Sequence, residues 1–447
     1  MIRQPRQAGS LISSSQPRLL LGCELNGDRS QAFLLTRWRG GRMQKASEPL
    51  DPMYRILELA VFPGSIPVYG RKMDRVKEID GLRAIAILMV VGWHYIGASA
   101  ETGSASIFWK LTIFGRTGVD LFFVLSGYLI TSILLTNRDV PNYFSAFYGR
   151  RAFRILPVYF AMVAIFFVGR TLDWSATLFD GTIPSWTYLA GLQNFWMTSR
   201  ETYGAVWLGG TWSLAIEEQF YLVFPLIVRF SSRLTLRRLL IGLLVICPLL
   251  RIVAFWQGAP YGSYGYYFLT PFRADNLAIG ALIAWYEATG SITDQIRAHA
   301  RRTLMILLCV FPIFAALIAK NTDAHMALWG HTYLAWLYGA VLFVVLQNRG
   351  ADRLAPLRSG PAAFFARISY ALYLVHVVVA FCLSIVFGVS RDVSTIPGLV
   401  LAASAFALSV AICEVSYRWL EGPLIKFGHR RFRYGADSSR RALAPAE

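Results

Sequence analysis

The sequence predicts an all-α, polytopic integral membrane protein with about ten transmembrane helices, on three observations. Hydrophobic residues make up 55% of the chain and charged residues only 16%, a balance more apolar than that of soluble domains. Apolar runs recur from Leu82 to Leu420, each long enough to cross a bilayer, which takes about 20 residues. Lys and Arg fall in short clusters between these runs, as they do where they hold loops on the cytoplasmic side. The alternating pattern of an outer-membrane barrel is absent. The formal net charge of +18 resides in those clusters and the two tails, so nucleic acid is not an expected partner.

Residues 1–72 differ from the rest. They hold eleven Lys or Arg and five Asp or Glu among scattered Ser, Gly and Pro, and read as a basic, mostly disordered extension. Leu20-Leu21-Gly22-Cys23 resembles a lipoprotein cleavage site, but Pro17 and Arg18 interrupt the apolar run that a signal segment needs. Met73 offers a natural start, so the extension is expected to be dispensable or a mis-assigned start.

The membrane region is expected over 73–428, with 429–447 as a basic cytoplasmic tail. Span one, about 80–98, follows Arg71, Lys72, Arg75 and Lys77 and so begins inside. Span two, about 117–136, returns to Arg150, Arg151 and Arg154, which read as a cationic cytoplasmic loop. Span three, about 155–170, goes out. The aromatic stretch 184–197 is read as re-entrant or interfacial, because a crossing there would place Arg229, Arg233, Arg237 and Arg238 outside. Spans near 212–230, 239–256, 272–287, 303–319, 330–347, 368–388 and 397–420 then alternate, bringing the total to about ten with both termini cytoplasmic. No internal repeat of fixed period is visible.

Span one carries Arg83 at its first turn and His94 eleven residues later. Eleven residues rise about 16 Å and make about three turns, so both side chains share one face. Polar groups within such spans are costly and face a polar interior. Asp80, Arg83, the Arg150/Arg151/Arg154 loop and, somewhat deeper, His376 form a layer near the cytoplasm. His94, Asp120, Glu217, Glu218, Arg273 and Asp275 form a second layer in the outer half. His94 is the candidate general base. Glu217 and Glu218, about 100° apart on their helix, offer one carboxylate to orient it. Asp120 and Asp275 are assigned to an acceptor. Guanidinium forks on Arg83, Arg150, Arg151 and Arg154 suit phosphates.

Other features read as structural. Cys247, Cys309, Cys382 and Cys413 lie in apolar runs, without metal-type spacing, and no metal is expected. Ser126, Ser213 and Ser369 read as helix-packing sites. Glu414 and Arg418, one turn apart, are expected to pair. His376 has no obvious partner.

Six stretches in order resemble the acyltransferase 3 family of integral-membrane acyltransferases. They are Ile79-Asp80-Gly81-Leu82-Arg83-Ala84 with its spacing to His94; Gly118 to Ile130; Tyr148 to Tyr159; Thr211-Trp212-Ser213-Leu214-Ala215-Ile216-Glu217-Glu218-Gln219-Phe220-Tyr221; Ser369-Tyr370 to His376; and Glu414 to Pro423. The resemblance implies transfer of an acyl group, commonly acetyl, from cytoplasmic acyl-CoA to a hydroxyl of a cell-surface glycan or related glycosylated acceptor, at the cell membrane. It carries functional roles onto Arg83 and His94, onto Arg150, Arg151 and Arg154, and onto Glu217 and Glu218. Larger family members add an extracytoplasmic SGNH-type domain. This sequence ends soon after its last motif, so the acceptor is expected to meet the membrane domain directly. The alternative is a transporter or flippase of a lipid-linked sugar, disfavoured by the lack of internal symmetry.

Overall fold

The computed structural model describes residues 36–39, 42–45, 76–98, 107–258, 262–320 and 322–435. In the N-terminal unit it describes a hairpin in which Thr36–Arg39 pairs antiparallel with Arg42–Lys45. The rest of the expected disordered extension lies outside the described residues.

The second unit, from Lys72 onward, is helical. Helix α1 spans Lys77–Gly92 and continues into a wide π-helical turn, Trp93–Gly97. A 3₁₀ turn at Ile113–Thr117 leads into α2, Gly118–Thr136. Helix α3 runs from Tyr143 to Thr171, with Pro157 inside it. Its 29 residues reach about 44 Å, longer than the hydrocarbon core of a bilayer. Its first turns can therefore project towards the aqueous edge.

Two short helices follow, α4 (Ser185–Ala190) and α5 (Gln193–Ser199). They are six and seven residues long, about 9–11 Å each, and cannot cross a membrane. Gly191 stops α4 in a left-handed conformation, φ 67°, which a side chain would resist. The stretch read as re-entrant from its charge pattern thus folds as two non-spanning helices. Gln219 anchors it, donating to the Gly191 carbonyl and to Asn194 Oδ1 at 3.0 Å each.

The longer helices that follow are α6 (Thr211–Phe230), α7 (Arg233–Trp256), α8 (Ala274–Ala288), α9 (Asp294–Lys320), α10 (His331–Gln347), α11 (Gly360–Phe387), α12 (Ile396–Ser416) and α13 (Gly422–Arg431). Among the described residues, eight helical segments are long and apolar enough to span a membrane. The two other expected spans, at α6 and α8, are not among them. They stand outside the eight for physical reasons: α6 carries Glu217, Glu218 and Arg229, and α8 is only 15 residues long.

Burial separates inner from outer helices. Helices α2, α8 and α10 are buried over most of their length, whereas α7 and α9 expose apolar side chains such as Leu249 and Ile313, as lipid-facing helices do. The tightest crossing is α2 on α8. A Cβ on Gly127 would overlap the Leu277 carbonyl, and one on Gly280 would overlap the Val124 carbonyl. Only glycine lets these backbones approach so closely.

Candidate active site

A cavity of about 110 Å³ opens between α1, α2, α3, α6 and α11. Arg83, Arg151, Arg154, Glu217, Ser126 and Ser369 contribute its polar wall, and Tyr370 and Tyr373 part of its aromatic wall. Arg83 donates to Ser369 Oγ at 3.0 Å. Ser126 donates to Glu217 Oε1 at 2.5 Å and shares a 3.0 Å hydrogen bond with the Tyr221 hydroxyl. The Arg151 guanidinium lies 5.2 Å from the Tyr221 ring centre. Among the described residues, neither Arg151 nor Arg154 forms a hydrogen bond or an ion pair. Three guanidiniums therefore share one lining carboxylate.

The sequence treats Arg150, Arg151 and Arg154 as one loop. They lie instead inside α3, and helical geometry divides them. Residues three apart share a face, whereas adjacent ones diverge by about 100°. Arg151 and Arg154 line the cavity. Arg150 turns to the C-terminal segment, donating to the Phe432 carbonyl at 2.6 Å and standing 4.7 Å from the Tyr434 ring centre.

About 16 Å along α1 from Arg83, the π-helical turn carries His94. Such turns insert an extra residue and recur at functional sites. His94 Nδ1 is 2.8 Å from the Val90 carbonyl and 3.3 Å from Nε2 of His376, and the two rings meet edge to face at 4.9 Å. His376 Nδ1 is 2.8 Å from the Leu372 carbonyl. A carbonyl only accepts, so each Nδ1 carries the hydrogen. The His94 N–H then also leans on the His376 Nε2 lone pair, and the basic lone pair of His94 lies on Nε2. The Tyr95 hydroxyl pins the His376 backbone, donating to its carbonyl at 2.7 Å, and bonds the Ser409 hydroxyl at 2.8 Å.

This corrects the expected pairing of His94 with Glu217 or Glu218. Glu217 belongs to the arginine cavity, held by Ser126. Glu218 diverges from it on α6 and buries Oε1 without a hydrogen-bond partner. Among the described residues, the side chain that His94 meets is a second imidazole. His376 lies beside His94, farther from the arginines than depth along the sequence implies. Ser369 and His376 are seven residues apart, two turns on one face of α11. They form two rungs to α1: Arg83 to Ser369 and His94 to His376. That spacing was the available signal.

Asp120 and Asp275, expected at an acceptor, are instead buried in ion pairs, each about 1–2% exposed. Asp120 accepts from Arg273 and Asn276 at 2.7 Å each, with His331 Nδ1 3.6 Å away. Asp275 accepts from Arg251 at 2.6 Å. A buried carboxylate at a helix start requires such partners. Conversely, Ser126, Ser213 and Ser369, read as packing sites, line the cavity. Ser213 bonds the Tyr373 hydroxyl at 2.5 Å. Glu414 pairs with Arg418 at 2.7 Å as the one-turn spacing implies, and also with Arg367 at 2.8 Å. No cluster of metal-ligating side chains occurs among the described residues.

Comparison with known proteins fits this geometry into a family. A family model described as an acyltransferase domain matches residues 76–418. The peptidoglycan O-acetyltransferase OatA of Listeria monocytogenes is 28% identical over 397 residues, covering 80% of this chain and 57% of its own length. The O-acetyltransferase OatA of Staphylococcus aureus is 25% identical over 370 residues, covering 80% and 58%. A putative O-acetyltransferase of Staphylococcus aureus is 28% identical over 384 residues, with the same coverage. The aligned region thus spans less than three-fifths of each of these relatives. No solved structure matches the chain. The match over 76–418 takes in the arginine cavity, α1 and the histidine pair together, and the chain belongs to the acyltransferase 3 family.

Proposed function

We propose that this protein moves an acyl group, acetyl in its named relatives, from acyl-CoA to a hydroxyl of a glycan, within the cell membrane. The observation that carries this reading is the excess of partly buried guanidinium over carboxylate lining a cavity joined by one helix to a histidine pair. Uncompensated buried charge is costly and calls for a counter-ion. Phosphates of the donor supply one on Arg83, Arg151 and Arg154.

The positive-inside pattern supports reading this end of the chamber as cytoplasmic, where acyl-CoA is made. A cavity of about 110 Å³ is well below the roughly 300–1,000 Å³ of sites for drug-sized ligands. It suits the narrow thioester arm, with the nucleotide remaining outside. The arm extends along α1 from the arginines to His94.

Transfer then needs one proton moved twice. His94 Nε2 takes the proton of the acceptor hydroxyl as its oxygen attacks the thioester carbonyl. The tetrahedral intermediate collapses, the C–S bond breaks, and the departing thiolate recovers the proton from the imidazolium. His376 holds the Nδ1–H side of His94 throughout, so Nε2 faces the reaction. General-base catalysis contributes about 10²–10⁴-fold, with positioning in a dry channel adding to it.

The test is release of free CoA from labelled acetyl-CoA by purified protein in lipid vesicles, wild type against His94→Ala. Wild-type release that falls by about 10²-fold or more in the variant, with acetyl-CoA binding retained, supports the proposal. Equal turnover by both proteins overturns it. Transport of a lipid-linked sugar predicts no CoA release at all.

A further inference from the structure

Helix α10 packs on both α8 and α9. Two hydrogen bonds tie it to α9: the Tyr333 hydroxyl donates to the Leu307 carbonyl at 2.6 Å, and Arg297 Nε donates to Gln347 Oε1 at 3.0 Å. The three helices leave a groove of about 430 Å³, within the roughly 300–1,000 Å³ of ligand sites. Its floor is apolar and buried, formed by Ile279 and Ile283 of α8 and Ala340 and Phe343 of α10. A Cβ on Gly339 would overlap the Ile279 side chain, so α8 and α10 seal the floor. Its rim is exposed, with Gln295 and His299 from α9 and Trp336 from α10. It shares no lining residue with the arginine cavity.

The groove is graded along α9. From Gln295 to Thr303 its wall rises about 12 Å, close to the roughly 15 Å of hydrocarbon in one leaflet. Gln295 and His299 belong to the polar stretch that ends at Arg302, and an apolar run follows Thr303. Arg302 stands seven residues from Gln295 and three from His299, so helical pitch sets it at the edge of the same face. His299 Nδ1 is 2.7 Å from the Gln295 carbonyl. That nitrogen therefore carries the hydrogen, and Nε2 is left to meet a ligand. Among the described residues, no carboxylate lines the groove, and Asp294 at the start of α9 is held by Arg297 at 2.8 Å. Further along, α9 exposes Met305, Ile306 and Ile313, so hydrocarbon borders the inner end.

We propose that this groove binds an anionic glycerophospholipid of the leaflet beside the basic start of α9, with one acyl chain over the buried floor and the headgroup phosphate at His299 and Arg302. The chain supplies contact atoms to a floor that otherwise faces a void, and does so for any phospholipid. Charge makes the choice. A zwitterionic headgroup brings its own cation to offset the phosphate, whereas a net negative one meets a rim with basic groups and no acid. The groove's length limits it to one leaflet, and its polar rim lies at one end only, as a single lipid requires. The site stands or falls independently of acyl transfer.

The experiment titrates full-length protein in detergent micelles with phosphatidylglycerol, phosphatidylcholine or glycerol 1-phosphate, and counts bound molecules per chain by native mass spectrometry. The expected result is one phosphatidylglycerol held with a Kd at least about fivefold below that of phosphatidylcholine, and not displaced by glycerol 1-phosphate. Ala300→Trp, which fills the groove from α9, removes that molecule. His299→Gln combined with Arg302→Gln leaves phosphatidylglycerol bound no better than phosphatidylcholine. Melting temperatures show that the variants fold, and the exposed His299 and Arg302 pair decides the matter if Ala300→Trp does not. Equal affinity of the wild type for the two lipids overturns the inference. So does a preference that survives the double substitution, or unchanged phosphatidylglycerol binding by folded Ala300→Trp protein. Displacement by glycerol 1-phosphate would make this a phosphate site without a lipid, and overturns it as well.

Discussion

Replacing Arg151 or Arg154 by alanine should weaken the acyl-CoA donor far more than replacing Arg150. All three are basic neighbours in sequence, but only Arg151 and Arg154 line the cavity. Arg150 spends its Nε on the Phe432 carbonyl and its face on Tyr434. A hydrogen bond to a charged group contributes about 1.5–3 kcal/mol. At about 1.4 kcal/mol per factor of ten, loss of one guanidinium raises the donor Kd roughly 10- to 150-fold. Arg150→Ala should change it less than about threefold, because the lost contacts are to the protein's own tail. The assay is equilibrium binding of acetyl-CoA to purified protein, paired with the apparent KM for CoA release. Similar losses in all three variants would refute the division made by helical phase. An unchanged Kd in Arg151→Ala and Arg154→Ala would remove the phosphate role of the cavity altogether.

Three further expectations follow from the same geometry. His376→Ala removes the second acceptor of the His94 Nδ1–H and leaves the Val90 carbonyl, a loss of about 0.5–1.5 kcal/mol. kcat should fall roughly 2- to 10-fold with the donor KM unchanged, and a change confined to KM would contradict the positioning role. Asp120→Ala strands the buried Arg273 and should cost about 3–5 kcal/mol of stability, read as a lower melting temperature in detergent. A variant that melts with the wild type would show that the ion pair does not hold the fold. Gly280→Leu drives a side chain into the Val124 carbonyl and should separate α2 from α8. Size-exclusion chromatography should show loss of the folded monodisperse species, and a normal profile with normal turnover would count against the close crossing.

The helices were legible because their cause is local. Twenty apolar residues have few alternatives in a bilayer, where every backbone amide must be bonded within its own segment. The phase between Arg83 and His94 was equally readable, being set by the pitch of a single helix. So was the short, non-crossing stretch at 184–197, because charge imposes a side on each loop. Where the reading went astray, partners came from other helices. Glu217 looked like the partner of His94 because both lie deep in the membrane. The actual partners, Ser126 for Glu217 and His376 for His94, are 91 and 282 residues away in the chain. Asp120 and Asp275 likewise read as ligand groups because Arg273 and Arg251 could not be placed against them.

The sequence by itself thus determined that this is a helical membrane protein, that one helix carries Arg83 and His94, and that the chain belongs to an acyltransferase family. Hydropathy, charge and helical pitch act along the chain, so they can be read along it. Tertiary structure alone decided which charges are spent and which are left over. Arg251 and Arg273 are neutralised by buried carboxylates, whereas among the described residues Arg151 and Arg154 form no ion pair. An arginine is identical on paper in either case. Its chemistry depends on whether folding brings an oxygen to it or leaves that place for a ligand.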